Sequence, residues 1–307
     1  MNTVLITGGA GFIGSSLAKK LICLDVEIII IDNLSKGSRA NIPEAAQFIE
    51  GACEDRNTYD LIRDIKFSAI FHLAGQSSGE RSFEDPLVDL NSNAASTLVL
   101  LQFARTNLNG RFVFASTMSV YGDNIPPFKE EMSPRPLSFY GVGKLASEHY
   151  LRLYRKFGLD TVAVRLFNVY GPGQDLEDMK QGMVSIFLGQ ALGSGTIVVK
   201  GSVNRYRDFI FIDDVVDNLW QLSKHNGKLP LVINFASGQS TTVSELLNQI
   251  KLGWSLPLEI EVSTGTSGDQ HGSLGDNTLG LQYGISFPTR LDEGITATIR
   301  WIKELSK

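Results

Sequence analysis

Val4–Leu5–Ile6–Thr7–Gly8–Gly9–Ala10–Gly11–Phe12–Ile13–Gly14 stands near the start of the chain. An apolar strand, Val4 to Thr7, runs into the spaced glycines Gly8, Gly11 and Gly14, and a helix is predicted to begin near Phe12. Glycines at this spacing let backbone N–H groups approach an anion closely. The helix N-terminus adds donors and a positive partial charge. About 18 residues past Gly14, a second apolar strand, Val26–Ile31, ends in Asp32. A carboxylate there can accept both hydroxyls of an adenosine ribose. A lone glycine pattern is weak. Strand, glycines, helix, strand and terminal acid within one short unit predict a dinucleotide site rather than an unliganded turn.

The alternation continues along the chain. Strand-like runs fall at Phe48–Ile49, Ala69–Leu73, Phe112–Ala115 and Val162–Arg165. Helical patterns fall at Leu17–Leu24, Thr58–Asp64, Ala94–Thr106 and Gly141–Phe157. This predicts an α/β fold, a Rossmann-type doubly wound parallel sheet over residues 1–167. Ligands of such sheets lie beyond the carboxyl ends of the strands, where Gly8, Asp32, Ala74 and Ser116 fall. After about Asn168 the rhythm changes. Gly171–Pro172–Gly173 reads as a turn, Ser185–Leu192 as a helix, Ile197–Lys200 and Phe209–Ile212 as strands, and Asp292–Glu304 as a final helix. A smaller α/β lobe is expected over 168–204 and 236–307, with 205–235 returning to the first domain.

Composition narrows the class. Hydrophobic residues make up 43% and charged residues 20% of 307 residues, which is the balance of a soluble globular chain. A net charge of −5 gives no support for nucleic-acid or membrane-surface binding. No apolar run approaches the roughly 20 residues needed to span a bilayer. No basic-then-apolar leader is visible, so a cytoplasmic location is expected. Cys23 and Cys53 read as reduced structural thiols. His72, His149, His225 and His271 are scattered without metal-ligand spacing, and no metal is expected.

Two side chains carry candidate chemistry. Tyr140 and Lys144 are four apart at a helix start and share a face. An ammonium beside a phenol favours the phenolate, so Lys144 is expected to lower the pKa of Tyr140 and make it an acid–base group. In isolation this pattern also describes a packed tyrosine one turn from a surface lysine. The run Phe114–Ala115–Ser116–Thr117–Met118–Ser119–Val120–Tyr121–Gly122 argues for chemistry, because its hydroxyls follow a predicted strand. Thr117 can hold the oxygen of a reacting alcohol.

These pieces together resemble the extended short-chain dehydrogenase/reductase family, in the branch of NAD-dependent nucleotide-sugar epimerases and dehydratases. The matching segments are Thr7–Gly14, Asp32–Asn33, His72–Gly75, Asn93 with Thr97, Ser116–Gly122, Tyr140–Lys144, Arg165–Gly173 and Arg207–Asp214. The resemblance implies NAD held by Gly8, Gly11, Phe12, Ile13, Gly14, Asp32, Asn33, Leu73, Ala74, Gly75, Asn93, Tyr140 and Lys144. It implies a catalytic triad of Thr117, Tyr140 and Lys144, with Lys144 on the nicotinamide ribose. It implies a nucleotide-sugar substrate, UDP-linked, touched by Ser116, Thr117, Asn168, Arg207 and Ser273. Relatives pair as homodimers through two helices per subunit, here Ala94–Thr106 and Gly141–Phe157.

Departures sharpen the reading. Dehydratases and decarboxylases of the family carry a glutamate two places after the catalytic threonine. Here Met118 and Ser119 follow, and neither is an acid near neutral pH. Ala52 occupies the place of an adenine-binding aspartate. Beside Gly268–Asp269, Thr266 stands where many epimerases have a second phosphate arginine, and Arg205 is the candidate to compensate. Ser273 matches the position that gates the sugar pocket, and a small residue there leaves room for an N-acetyl group. The expected activity is 4-epimerisation of a UDP-hexose or UDP-N-acetylhexosamine. The alternatives are an NAD(P)H-dependent reductase of a nucleotide-linked 4-keto sugar and a non-catalytic dinucleotide sensor. Asp32 favours NAD by repelling a 2′-phosphate, while Lys36 and Arg39 are cations that could meet one.

Overall fold

The computed structural model of the chain describes residues 2–265 and 271–305. The glycine turn joins β1 (Thr3–Thr7) to α1 (Phe12–Ile22). Next come β2 (Glu27–Asp32), β3 (Gln47–Glu50), β4 (Phe67–His72), α2 (Ser96–Asn107), β5 (Leu108–Thr117), α3 (Phe139–Arg155) and β6 (Asp160–Leu166). With Val232–Phe235 these strands form one seven-stranded sheet in the order Val232–Phe235, β6, β5, β4, β1, β2, β3. The pairings from β3 across to β6 are parallel, with Leu5 between Ile29 and Ile70. The order reverses at β1, and a crevice for ligands opens there beyond the strand ends.

The strands are apolar throughout because both sheet faces are covered. Every residue of β1 is buried, as are Ile28 to Ile31 of β2. Leu5, Ile29, Ile31, Ile70, Leu100, Leu101, Phe112, Phe114 and Ala163 meet in one core cluster. Ser138 starts α3 by accepting the Gly141 N–H at 3.1 Å, so the helix begins two residues before Gly141. Thr58–Asp64 is not an α-helix: Thr58 to Ile62 belong to a 3₁₀ run, Arg56–Ile62, and a turn follows at 63–64. Asp55 caps that run, and Tyr59 donates to the Cys53 carbonyl at 2.8 Å. Tight 3₁₀ turns of this kind suit short connectors. Cys53 is buried and Cys23 exposed, and both are free thiols.

The chain divides into two units. The first comprises 1–122, 133–166 and 216–233; the second comprises 123–132, 167–215 and 234–307. The returning segment is thus shorter than 205–235, and 123–132 joins the second unit. Within the first unit, buried Arg111 donates to Asp160 at 2.9 and 2.7 Å and to the Gly227 carbonyl at 2.9 Å, tying the returning segment to the sheet. The second unit is built from short strand pairs. Asn168–Tyr170 runs parallel to Phe209–Phe211, Tyr206–Arg207 antiparallel to Thr241–Thr242, and Thr196–Lys200 parallel to Glu259–Ser263. Helices Met183–Gly193, Val243–Gly253 and Leu291–Leu305 complete it. No helix among the described residues is long and apolar enough to cross a membrane.

The glycine turn is a packing constraint as well as a ligand cradle. A Cβ at Gly14 would lie 2.2 Å from the Gly8 carbonyl oxygen. Gly14→Ala is therefore expected to cost about 1–3 kcal/mol through displacement of α1. Denaturant unfolding measures this, and an unchanged midpoint would contradict the packing.

Candidate active site

The cofactor end of the first unit is assembled by backbone. Gly8 has φ +72°, and a Cβ on it would meet the Ala74 nitrogen at 2.6 Å. The β1 and β4 turns therefore touch without side chains between them. Gly11 caps α1 with no side-chain bond. A Cβ there would meet only the Gly8 carbonyl at 3.4 Å, so packing does not explain this glycine. The first-turn N–H groups, from Phe12, Ile13 and Gly14, have no partners within the helix. This is a cradle suited to an anion. Asp32 is almost wholly buried, and its two oxygens accept N–H bonds from Ala10 at 3.0 Å and Leu34 at 2.8 Å. Both oxygens keep lone pairs for ribose hydroxyls. Asn33 accepts from Ser35 in the following turn at 3.1 Å. Arg39 pairs with Glu50 and lies 4.9 Å over the Phe48 ring, so its charge is already committed.

At the β4 end, Leu73 donates to Thr7 O at 3.1 Å, and Gly75 takes φ +147°. A Cβ at Gly75 would lie 2.4 Å from Asn93 Oδ1 and 3.2 Å from Lys144 Nζ. Those two groups flank one space beside Gly75. Asn93 Oδ1 is buried without a hydrogen-bond partner among the described residues. A buried unpaired acceptor is costly and calls for a donor from a ligand. The donors and the glycine cradle fit a dinucleotide.

The triad comes together at the β5 end. Lys144 is 4% exposed, donates to the Ala115 carbonyl at 3.0 Å and lies 4.9 Å over the Phe114 ring. Its Nζ stands 5.9 Å from the Tyr140 ring centroid. Thr117 lies near enough to the Tyr140 phenol to favour its ionised form. Its Oγ1 accepts the Ser119 N–H at 3.1 Å and donates to Ser119 Oγ at 3.2 Å. The electrostatics correct one expectation. Burial pushes the Tyr140 phenol up to about 12, opposed by Thr117 and assisted by the Asp89 charge. Burial likewise drops Lys144 to about 8, with Asp89 opposing. Desolvation is the largest cause and Lys144 does not offset it, so the phenol of the protein alone keeps its proton at neutral pH.

Ser116 is placed differently from Thr117. It is buried, and its hydroxyl donates to Glu148 Oε1 at 2.6 Å. Arg165 closes on the same carboxylate at 2.9 and 2.7 Å and lies 4.7 Å over the Tyr121 ring. Desolvation alone would lower the Arg165 pKa, but Glu148 and Tyr121 outweigh it and hold it raised. This buried ion pair braces α3 against β5 and β6. Breaking one partner of such a pair leaves an uncompensated charge.

Sequence reasoning missed Glu148, Gln76 and Asp89. Asp89 is buried, one helical turn before Asn93, and accepts from Asn93 Nδ2 at 3.1 Å and Gln76 Nε2 at 2.9 Å. Its spacing from Asn93 was a readable signal. Burial raises its carboxyl pKa, opposed by Gln76, Lys144 and Asn93.

In the second unit, the expected substrate residues form one cluster. Asn168 Nδ2 donates to Asp208 O at 2.8 Å, and Ser273 N donates to Tyr206 O at 3.1 Å. Arg207, between those two carbonyls in sequence, is buried, and burial followed by Arg205 lowers its pKa to about 10. The Asp208 carboxylate takes N–H bonds from Ser237, Gly238 and Gly275 at 2.9, 3.1 and 3.2 Å and the Ser237 hydroxyl at 2.6 Å. Ser273 Oγ is buried with no partner among the described residues. Thr266, Gly268 and Asp269 lie outside the described residues.

The fold and the tyrosine–lysine helix define an extended short-chain dehydrogenase/reductase. The chain belongs to the NAD dependent epimerase/dehydratase family, which residues 4–236 match. It is an enzyme of that family, and its cofactor is NAD. A UDP-glucose 4-epimerase of Mycolicibacterium smegmatis is 34% identical over 312 residues, covering 99% of each chain. The structure of a UDP-glucose 4-epimerase from Thermotoga maritima with UDP-glucose superposes with TM-score 0.92 at 32% identity, covering 99% of this chain and all of that one. The Thermus thermophilus UDP-glucose 4-epimerase complex with NAD gives 0.89 at 30%, covering 98% and 99%. Relatives at 29% and 28% identity are named UDP-glucuronic acid decarboxylase and dTDP-4-dehydro-6-deoxyglucose reductase.

His72 gives a stability prediction. It is fully buried between Thr7 Oγ1 at 2.7 Å and Thr97 Oγ1 at 3.0 Å. Burial, then Lys144, lowers its pKa from 6.5 to about 3. The unfolded chain therefore binds the extra proton first as pH falls. The stability due to a neutral His72 is complete above pH 6.5 and is lost progressively toward pH 3. Denaturant unfolding across this range is expected to show that slope, flattened in His72→Asn. An equal slope in both proteins would contradict the assignment.

Proposed function

We propose that this protein is an NAD-dependent nucleotide-sugar 4-epimerase acting in the cytoplasm on a UDP-hexose or UDP-N-acetylhexosamine. The observation that carries this reading is the pair of residues after Thr117. Met118 supplies no acid, and the Ser119 hydroxyl lies 3.2 Å from Thr117 Oγ1 as a hydrogen-bond partner. Elimination of water or carbon dioxide calls for an acid–base group there, whereas oxidation followed by reduction needs only the triad.

Tyr140 would take the proton from the hydroxyl on sugar carbon 4 and later return it. Thr117 would hold that oxygen by a hydrogen bond. Lys144 would hold the cofactor ribose and keep a cation near the phenol. When bound, NAD would supply the hydride acceptor and donor that the side chains lack, and a positive charge on its oxidised ring. That charge would help lower a phenol that burial has raised. The 4-keto sugar must turn over before hydride returns to its other face, so the nucleotide must stay anchored. For that anchoring we assign Arg207 and Asn168; a guanidinium fork suits phosphate. Small, buried Ser273 supports room for an N-acetyl group. Exposed Val142 and Leu153 on α3, with exposed Phe157 just past its end, support a homodimer through α2 and α3.

A reductase of a nucleotide-linked 4-keto sugar would use the same three side chains. The commitment of Arg39 to Glu50 argues against it, because it removes one cation that could meet a 2′-phosphate.

Incubation of the purified protein with UDP-hexoses and UDP-N-acetylhexosamines, without added NAD, is expected to interconvert two epimers at carbon 4. Consumption of added reduced cofactor by a 4-keto sugar, without interconversion, would replace this reading with the reductase. Tyr140→Phe is expected to lower turnover by about a thousandfold while NAD stays bound. Near-normal turnover in that variant would remove Tyr140 from the acid–base role.

A further inference from the structure

Asn93 sits in a π-helical turn, Asn91–Ala95, ahead of α2. Such turns leave a backbone carbonyl outside the regular ladder. Here the Asn93 carbonyl accepts the Thr97 hydroxyl at 2.7 Å, and the Ser96 and Ser147 oxygens flank it at 3.2 Å. The backbone at this point is therefore clamped from the core side. The side-chain amide is clamped separately. Its Nδ2 donates to the Gln76 carbonyl at 3.0 Å and to Asp89 Oδ1 at 3.1 Å. Both amide hydrogens are spent on acceptors. A flipped amide would set its own oxygen against a carboxylate and a carbonyl, which repel it. The orientation is thus fixed, and Oδ1 faces the space beside Gly75 that Lys144 Nζ also borders. Asp89 is itself held, because Gln76 Nε2 donates to the same Oδ1 at 2.9 Å and to the Ser78 carbonyl at 2.7 Å.

We propose that Asp89 is a positioning residue for the cofactor: it fixes the Asn93 amide so that Asn93 Oδ1 accepts a hydroxyl hydrogen of bound NAD. This rests on the reading of Asn93 and Lys144 as cofactor contacts. What the role requires of residue 89 is an acceptor at the Oδ1 position, not a charge. Asparagine can supply that acceptor and leucine cannot.

The test is calorimetric titration of the cofactor-stripped, full-length protein with NAD. Asp89→Leu is expected to weaken binding about tenfold. Asp89→Asn is expected to stay within about threefold of the wild type, since it keeps the acceptor. Asn93→Ala should weaken binding about as much as Asp89→Leu, and the double variant should lose little more, because one residue acts through the other. Should Asp89→Leu not fold, Asp89→Ser, too short to reach the amide, replaces it. Asp32→Ala is the control for the cofactor site. Full additivity in the double variant overturns the proposal. So does wild-type affinity in Asp89→Leu, or failure of asparagine to restore binding. If Asp32→Ala still weakens binding in those cases, the cofactor site stands and only the role of Asp89 falls. Absence of NAD binding by the wild-type protein would overturn both.

Discussion

A buried ammonium governs the first unit. Lys144 is removed from water and satisfied by one carbonyl oxygen and an aromatic face. Its charge then constrains its surroundings. It disfavours a proton on His72, which stays neutral and can link Thr7 to Thr97. It also makes a nearby carboxylate useful, and Asp89 opposes the desolvation of Lys144. The carbonyl it needs belongs to β5 and its own Cα to α3, so strand and helix must be held in register. The Glu148–Arg165 pair and the Ser116 hydroxyl supply that brace.

The same burial sets the protonation logic. In the protein alone, both members of the pair favour their neutral forms more than in water. Under the proposed mechanism an activated phenolate would be a property of the loaded site rather than of the tyrosine–lysine pair alone. The second unit shows related economy. Asp208, adjacent to Arg207, is satisfied by four protein donors. Burial, and then Arg205, disfavours the charge of Arg207, and a phosphate would relieve that.

Much of this was legible in the chain because it is local. The glycine turn, Asp32 and the tyrosine–lysine spacing each declare themselves within a few residues. Strands buried on both faces read directly as apolar runs. Features that depend on distant partners were hidden. Glu148 is one polar residue on a helix until Ser116 and Arg165 arrive from two strands. Ser116 was expected to touch substrate with Thr117, yet successive strand residues point to opposite faces. That alternation sets the Ser116 hydroxyl on Glu148 and the Thr117 hydroxyl beside Ser119. The pKa of Tyr140 was misjudged because spacing shows a neighbouring charge but not the loss of water. The 3₁₀ run at Arg56–Ile62 was hidden for another reason: local bonds hold it, from the Asn57 N–H to Asp55 and from the Tyr59 hydroxyl to the Cys53 carbonyl, and apolar periodicity does not register them.

The central claim is that one hydride leaves and returns within a single closed cycle on one sugar. The direct measurement uses a UDP-sugar deuterated at carbon 4, mixed with undeuterated substrate carrying carbon-13 elsewhere in the ring, in ordinary water. Product analysed by mass and by NMR should keep deuterium at carbon 4, on the molecules that brought it. Deuterium lost to water, or found on the carbon-13 molecules, would contradict the account.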